Sequence, residues 1–351
     1  MDRNRDEGCQ GSVTRLERTC AALNGERYDQ TPVMPLLIQH ALHIVGTSHR
    51  DYSTDAKKLA EAQIFACERY GCDGLHITSD NQIISEAFGC ALRFPPDEPP
   101  QYLSRVLSGG LESSKLKVPD PLAAGRMPVV LEAAKIARRT LGDEYFIKVN
   151  SDSGPFSVAA ALRGEEAFFV DLYEDEYGAV ELLEICTEAA VAYALAIAKS
   201  GAHAVTFGDS TAGLIGRSLY EKYALPYQKQ LVSAVKETGL PVFMHMCGDV
   251  TQIIDLMAET GADALEIDSQ IDLGEAYEKT GGKVCLVGNV DTILMLSGSA
   301  GDIFRASRGC VDASGGRRLI LSAGCEVPRH TPGENIEAMI GAAGGNDSIV
   351  Q

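Results

Sequence analysis

Eight short runs rich in Val, Ile and Leu recur along this chain, separated by longer amphipathic stretches, and this alternation limits the fold more than any other feature. The runs are VMPLLI (33–38), GLHIT (74–78), FIKVN (146–150), AVTFGD (204–209), VFMHMC (242–247), ALEID (264–268), VCLVGN (284–289) and LILSAG (319–324). They are apolar rather than cleanly alternating, as strands covered on both faces must be. Between them lie helical patterns such as KKLAEAQIFACERYG, VLEAAKIARRTLG and SLYEKYALPYQKQLVSAVKETG. Two of these stop at Gly after a basic or polar last turn. Eight β/α alternations in 351 residues predict an α/β protein folded as a (β/α)8 TIM barrel. A doubly wound open sheet is the alternative. Residues 13–351 read as a single barrel domain, and the charged lead at 1–12 reads as disordered. The Pro-rich stretch FPPDEPPQYL (94–103) reads as an extended loop able to cap the barrel mouth.

Polar residues gather at the ends of these runs. Asp80 follows the second, Asn150 ends the third, Asp209 the fourth, and His245 with Cys247 the fifth. Asp268 ends the sixth, Asn289 the seventh, and Cys325 comes just after the eighth. Barrel active sites are built at the C-terminal ends of the strands, although some of these Asp and Asn residues are also natural helix caps. Asp80, Asp209, His245, Cys247 and Cys325 are therefore catalytic candidates. His40 and His43 after the first run, His76 inside the second, Asn150 and Asn289 are candidate substrate contacts. His76 reads equally as a core residue, and the two Asn as caps. Tyr223 and Tyr227 lie in a helical pattern and read as core.

His245 and Cys247 are two apart at a strand end, so they share a face where the chain leaves through Gly248. Cys325, after a buried run and a Gly, is the natural third partner. Two thiolates and one imidazole form a good zinc set, and three protein ligands leave a position open for a reactant. Two thiolates balance the ion's charge, which favours holding a substrate thiolate over activating water. Asp209 or Glu266 is a candidate fourth ligand. The competing reading is a satisfied core histidine beside inert cysteines, since an HxC pair alone is a weak signal.

Charge and cysteine usage narrow the function class. The formal net charge of −18 argues against nucleic acid or anionic membrane as a partner. No apolar run approaches the roughly 18 residues of a membrane span. Ten Cys without a signal peptide suggest a reducing, cytoplasmic compartment. Cys20, Cys67, Cys186 and Cys310 lie in helical patterns and read as structural.

"HMCGD" followed by "ILSAGCEVPRHTPGENIEAM" resembles the uroporphyrinogen decarboxylase superfamily, and within it the corrinoid-dependent methyltransferase branch. RYDQTPVMPL, SDNQIISEAFGC, GPFSVAAALRG, ALPYQK and LVGNVD extend the resemblance over nearly the whole chain. It implies a zinc ion on His245, Cys247 and Cys325. It also implies a corrinoid (methylcobalamin) carried by a partner protein, and methyl transfer to or from a small substrate. That substrate is a small O-methyl donor such as an aryl methyl ether, which the N-terminal half favours, or a thiol such as coenzyme M. The resemblance leaves a homodimer open. The decarboxylases carry an arginine-rich segment after the first strand, whereas Leu36 to Gly46 holds no arginine here. Asp80 matches the decarboxylase aspartate that faces the pyrroles and keeps uroporphyrinogen decarboxylase as an alternative. A non-catalytic zinc- or corrinoid-binding barrel is a second.

Overall fold

The computed structural model describes residues 13–344; the lead at 1–12 lies outside the described residues. Among the described residues nine strands occur in chain order: β1 (Gly74–Ile77), β2 (Ala91–Arg93), β3 (Gln101–Ser104), β4 (Phe146–Ser153), β5 (Ala204–Gly208), β6 (Val242–Met246), β7 (Ala264–Ile267), β8 (Cys285–Val290) and β9 (Leu319–Ala323). Seven of them form one parallel sheet in the order β1-β4-β5-β6-β7-β8-β9, with helical crossovers between neighbours. Every residue of β1, β7, β8 and β9 is buried, which is why these strands read as unbroken apolar runs.

The sheet is curled. Lys148 of β4 reaches Glu266 of β7 although β5 and β6 lie between them. A fully closed eight-stranded barrel is not reached, however. The first apolar run, VMPLLI, contributes a single bridge between Val33 and Leu321 and then turns into the helix Ile38–Val45. Its backbone nevertheless touches both outer strands. Met34 N–H donates to Leu321 O at 2.9 Å, and Asp73 N–H, just before β1, donates to Val33 O at 2.8 Å. Pro32 and Pro35 flank the bridge and carry no N–H, so the ladder cannot extend either way.

One end of the interior is plugged. Phe146, Phe243, Met34 and Ile320 are buried together, and the helix Arg15–Asn24 lays Ala22 and Leu23 over them. A capping box between Thr14 and Glu17 starts that helix, and Gly25 in the left-handed region stops it. Burying each of these aromatic rings is worth roughly 1.5–3 kcal/mol. The polar strand ends collect at the opposite, C-terminal end.

Two further expectations change. The Pro-rich stretch is not wholly loop. Gln101–Ser104 pairs antiparallel with Ala91–Arg93, and only the turn between them is irregular. That turn is tied down where His49 N–H donates to Pro96 O at 2.7 Å and Arg329 Nη1 donates to Asp97 O at 3.0 Å. The third helical stretch breaks at Ala224 into Arg217–Tyr223 and Leu225–Lys236. Pro226 cannot extend the first helix but is well placed in the opening turn of the second.

Candidate metal centre

His245 lies one residue before the end of β6, and Cys247 just past it. The chain then turns through Gly248 at φ +83, a conformation that favours glycine. Gly248 N–H donates to Asp268 Oδ2 at 2.9 Å, so the loop after β7 fixes the turn. Cys325 arrives from the end of β9 after Gly324, where a Cβ would lie 2.4 Å from Ser269 N. The resulting cluster is tight. His245 Nε2 is 2.9 Å from Cys247 Sγ and 3.8 Å from Cys325 Sγ, and the two sulfurs are 3.5 Å apart. Among the described residues it is the one group of three or more His, Cys, Asp and Glu ligand atoms all within 4.8 Å of one another.

The donor set fits zinc. It is N/S, it converges from two strand ends, and Cys247 is exposed, so one side stays open. The electrostatics of the bare cluster suit metal uptake. The hydrogen bond from Cys325 and that from His245 hold the Cys247 thiol well below the free-thiol range, at about 4. The shared proton pushes Cys325 up, with burial adding to it. Burial opposes charge on His245, but the contact with Cys247 and nearby Glu266 raise its pKa overall. Cys247 is thus a thiolate above about pH 4. In metal-free protein, iodoacetamide should label Cys247 before Cys325 and the buried thiols. Its rate should hold between pH 8 and 6, where an ordinary thiol slows by roughly a hundredfold. Mass spectrometry of the labelled peptides measures this, and an ordinary pH dependence would refute it.

The cluster opens on a cavity of about 280 Å³ that His76, Asn150, Tyr102, Arg105 and Glu326 help to line. This is close to the lower end of the roughly 300–1,000 Å³ usual for ligand pockets. Asn150 donates to Thr78 Oγ1 at 3.0 Å beside it. Both ring nitrogens of His76 are buried without a partner. Burial, with Lys148 and His245 nearby, pushes its pKa well down, so the imidazole is neutral.

Glu266 is part of the cavity lining, whereas His40, His43, Asn289, Asp209 and Asp80 lie outside it. His40 Nε2 is 2.8 Å from Tyr70 Oη in the core. His43 is exposed and packs edge-on to His330 at 4.7 Å. Asn289 donates to the Asp268 and Ile271 carbonyls and braces the loop after β7. Asp209 is fully buried. Its carboxylate accepts from Ser157 N–H and Gln228 Nε2, both at 2.8 Å, and anchors the helix Pro155–Arg163 instead of joining the cluster. Asp80 is gripped by Arg126, with Nη1 at 2.5 Å and Nη2 at 3.0 Å.

Sequence reasoning missed several groups. Glu326 follows Cys325 directly, and burial pushes its carboxyl up to about 7. Arg105 stacks on Tyr102 at 4.3 Å, and among the described residues it has no carboxylate within ion-pair distance. It is the one Lys or Arg in the cavity lining. Asp152, at φ +74, is buried, and burial, with the Asp80 charge adding to it, pushes its carboxyl up to about 8. It stays protonated in the fold but ionises near pH 3.9 when unfolded. Between those values unfolding releases a proton, so Asp152 makes stability fall as pH rises, by up to about 1.4 kcal/mol per pH unit. Asp152→Asn keeps a residue that tolerates the left-handed backbone. It should remove that slope in urea unfolding at pH 5, 6 and 7, and parallel slopes would count against the assignment.

The sequence matches the family described as Uroporphyrinogen decarboxylase (URO-D) over residues 14–345. It is 31% identical over 337 residues to a methylcobamide:CoM methyltransferase, MtbA, of Methanosarcina acetivorans, covering 94% of this chain and 97% of that protein. It is 29% identical over 306 residues to a uroporphyrinogen decarboxylase of Methylobacillus flagellatus, covering 84% and 85% respectively. Among solved structures, a methyltransferase from Methanosarcina mazei superposes with a TM-score of 0.87 at 26% identity, over 95% of this chain and 98% of that one. The chain therefore belongs to the uroporphyrinogen decarboxylase family.

Proposed function

We propose that this protein is a zinc-dependent methyltransferase that moves a methyl group between a corrinoid on a partner protein and a small substrate. The observation that carries the reading is the His245–Cys247–Cys325 cluster opening onto a small cavity at the C-terminal strand ends. The names of the methylcobamide:CoM methyltransferase relatives support it. A thiol such as coenzyme M is then the acceptor, and a small O-methyl donor is the second substrate class. We take the fold as a TIM barrel whose eighth position is filled by the Pro32–Met34 segment, in a single domain working in the cytoplasm. Among the described residues no helix is long and apolar enough to cross a membrane.

His245, Cys247 and Cys325 would hold the ion, and a zinc there would lower a substrate thiol's pKa or polarise a leaving oxygen. Cys247 and Cys325 would supply the negative charge, and His245 the neutral nitrogen donor. Asn150 offers a polar contact from the cavity wall, and His76 backs that wall with a neutral imidazole whose nitrogens are buried. Tyr102 and Arg105, from the β2–β3 hairpin and the residue after it, cover that wall and limit the substrate to a small molecule.

The decarboxylase alternative is weaker on charge and on placement. A substrate with many carboxylates needs several cations, and the cavity lining holds one, Arg105. Asp80 is occupied by Arg126 and is not itself among the lining residues. The test is elemental analysis of untagged protein together with loss of methylcobalamin absorbance on adding a small thiol. About one zinc per chain and thiol-dependent demethylation are expected. A metal-free yet active enzyme, or conversion of uroporphyrinogen to coproporphyrinogen at an ordinary enzymatic rate, would overturn the reading.

A further inference from the structure

Glu266 sits beside the metal centre without joining it. Its side chain is 8% exposed, and one carboxylate oxygen contacts Lys148 Nζ. The other is 3.7 Å from His245 Nδ1, whereas the nitrogen facing both sulfurs is Nε2. The carboxylate therefore lies on the far side of the imidazole from Cys247 and Cys325, outside the group of mutually close ligand atoms. Lys148 is itself 2% exposed and reaches across the curled sheet from β4, with its ammonium 5.1 Å from the centre of the Phe243 ring. A buried pair of this kind gains little net stability, because desolvating both charges offsets most of their attraction. What the pair does fix is where a mobile carboxylate points.

We infer that Lys148 is a positioning residue that holds Glu266 against the Nδ1 side of His245 and off the metal, keeping the remaining coordination position for a small thiol. This rests on the metal-site reading above. A carboxylate behind the imidazole favours the tautomer whose Nε2 is free to bind a metal. A Glu released from Lys148 carries an oxygen donor on the strand position paired with the ligand His245, and it would compete with the incoming thiol.

The test uses full-length protein loaded with Co(II) in place of zinc, titrated with 2-mercaptoethanol and followed by the cobalt d–d absorption bands. Wild-type protein should show a saturable spectral change. Lys148→Met should bind the thiol about tenfold or more weakly, in line with other groups that act on a metal through its ligands. The double variant Lys148→Met/Glu266→Gln, which has no carboxylate left to intrude, should return to the wild-type midpoint. A Lys148→Met titration matching wild type would overturn the inference. So would a double variant as weak as Lys148→Met, since the lysine would then act on the thiol directly. If Lys148→Met alone does not fold, the double variant decides: a wild-type midpoint supports the inference and a weakened one overturns it. Wild-type protein that takes up no Co(II) is a separate outcome that removes the metal-site reading itself, and this inference with it.

Discussion

Cys325→Ala is expected to empty the metal site and lower methyl transfer by several orders of magnitude while leaving the fold standing. The substitution leaves His245 and Cys247, two ligands from the end of one strand. Neighbours on one strand cannot enclose a tetrahedral ion, so affinity collapses. Cys325 is the ligand that comes from elsewhere, brought to 3.5 Å from Cys247 by the end of β9. Rate should fall because, on the proposed function, an ion held by these residues would supply the thiolate or activate the leaving group. Stability should fall by at most a few kcal/mol, mostly through lost metal linkage, because the cluster lies at the open end and the buried Phe146 and Phe243 layer lies at the other. Zinc content, thermal midpoint and methylcobalamin turnover on one preparation separate these effects. A variant that keeps both zinc and activity removes Cys325 from the site, and one that unfolds makes it a core residue.

Arg126→Ala should have the largest effect on stability, about 3–5 kcal/mol, as breaking a buried ion pair usually does. The Arg126 side chain is 7% exposed and serves two carboxylates at once. Its Nη atoms take Asp80, and its Nε donates to Glu86 at 2.7 Å. Truncation strands both acids close to buried Asp152, whose pKa already feels the charge of Asp80. Arg126→Lys should recover only part of the loss, because an ammonium has no fork to hold two carboxylates. Urea unfolding at neutral pH measures it. A loss below about 1 kcal/mol would mean that the network is solvent-screened.

These two predictions differ in how far the sequence alone could reach them. The convergence of the His–Cys–Cys cluster was legible because His245 and Cys247 are local neighbours at the end of an apolar run, and Cys325 follows another. The seven sheet strands were legible to within a few residues for the same reason, since burial on both faces leaves an unbroken Val/Ile/Leu signature. The first run failed as a strand because a short apolar run fits a buried strand or a helix equally well, and two prolines cut its ladder to one bridge. Asp80 looked like a group free to meet substrate. Its partner Arg126 is 46 residues away at the start of a helix, and no spacing rule connects them.

What the sequence determined by itself is the alternation that makes a parallel α/β sheet, the open end where polar strand ends meet, and the N/S donor set placed there. What only the tertiary structure decided is which polar groups face that opening and which are spent elsewhere. Asp209 anchors a helix, Asn289 braces a loop, and His40 pairs with Tyr70. Lys148, read as one more residue of an apolar run, meets Glu266 from 118 positions away. The physical reason is range. Apolar periodicity is set by each residue's own exposure and is written locally, whereas the partner of a buried charge is chosen by how the sheet curls, and that is settled only once distant strands lie side by side.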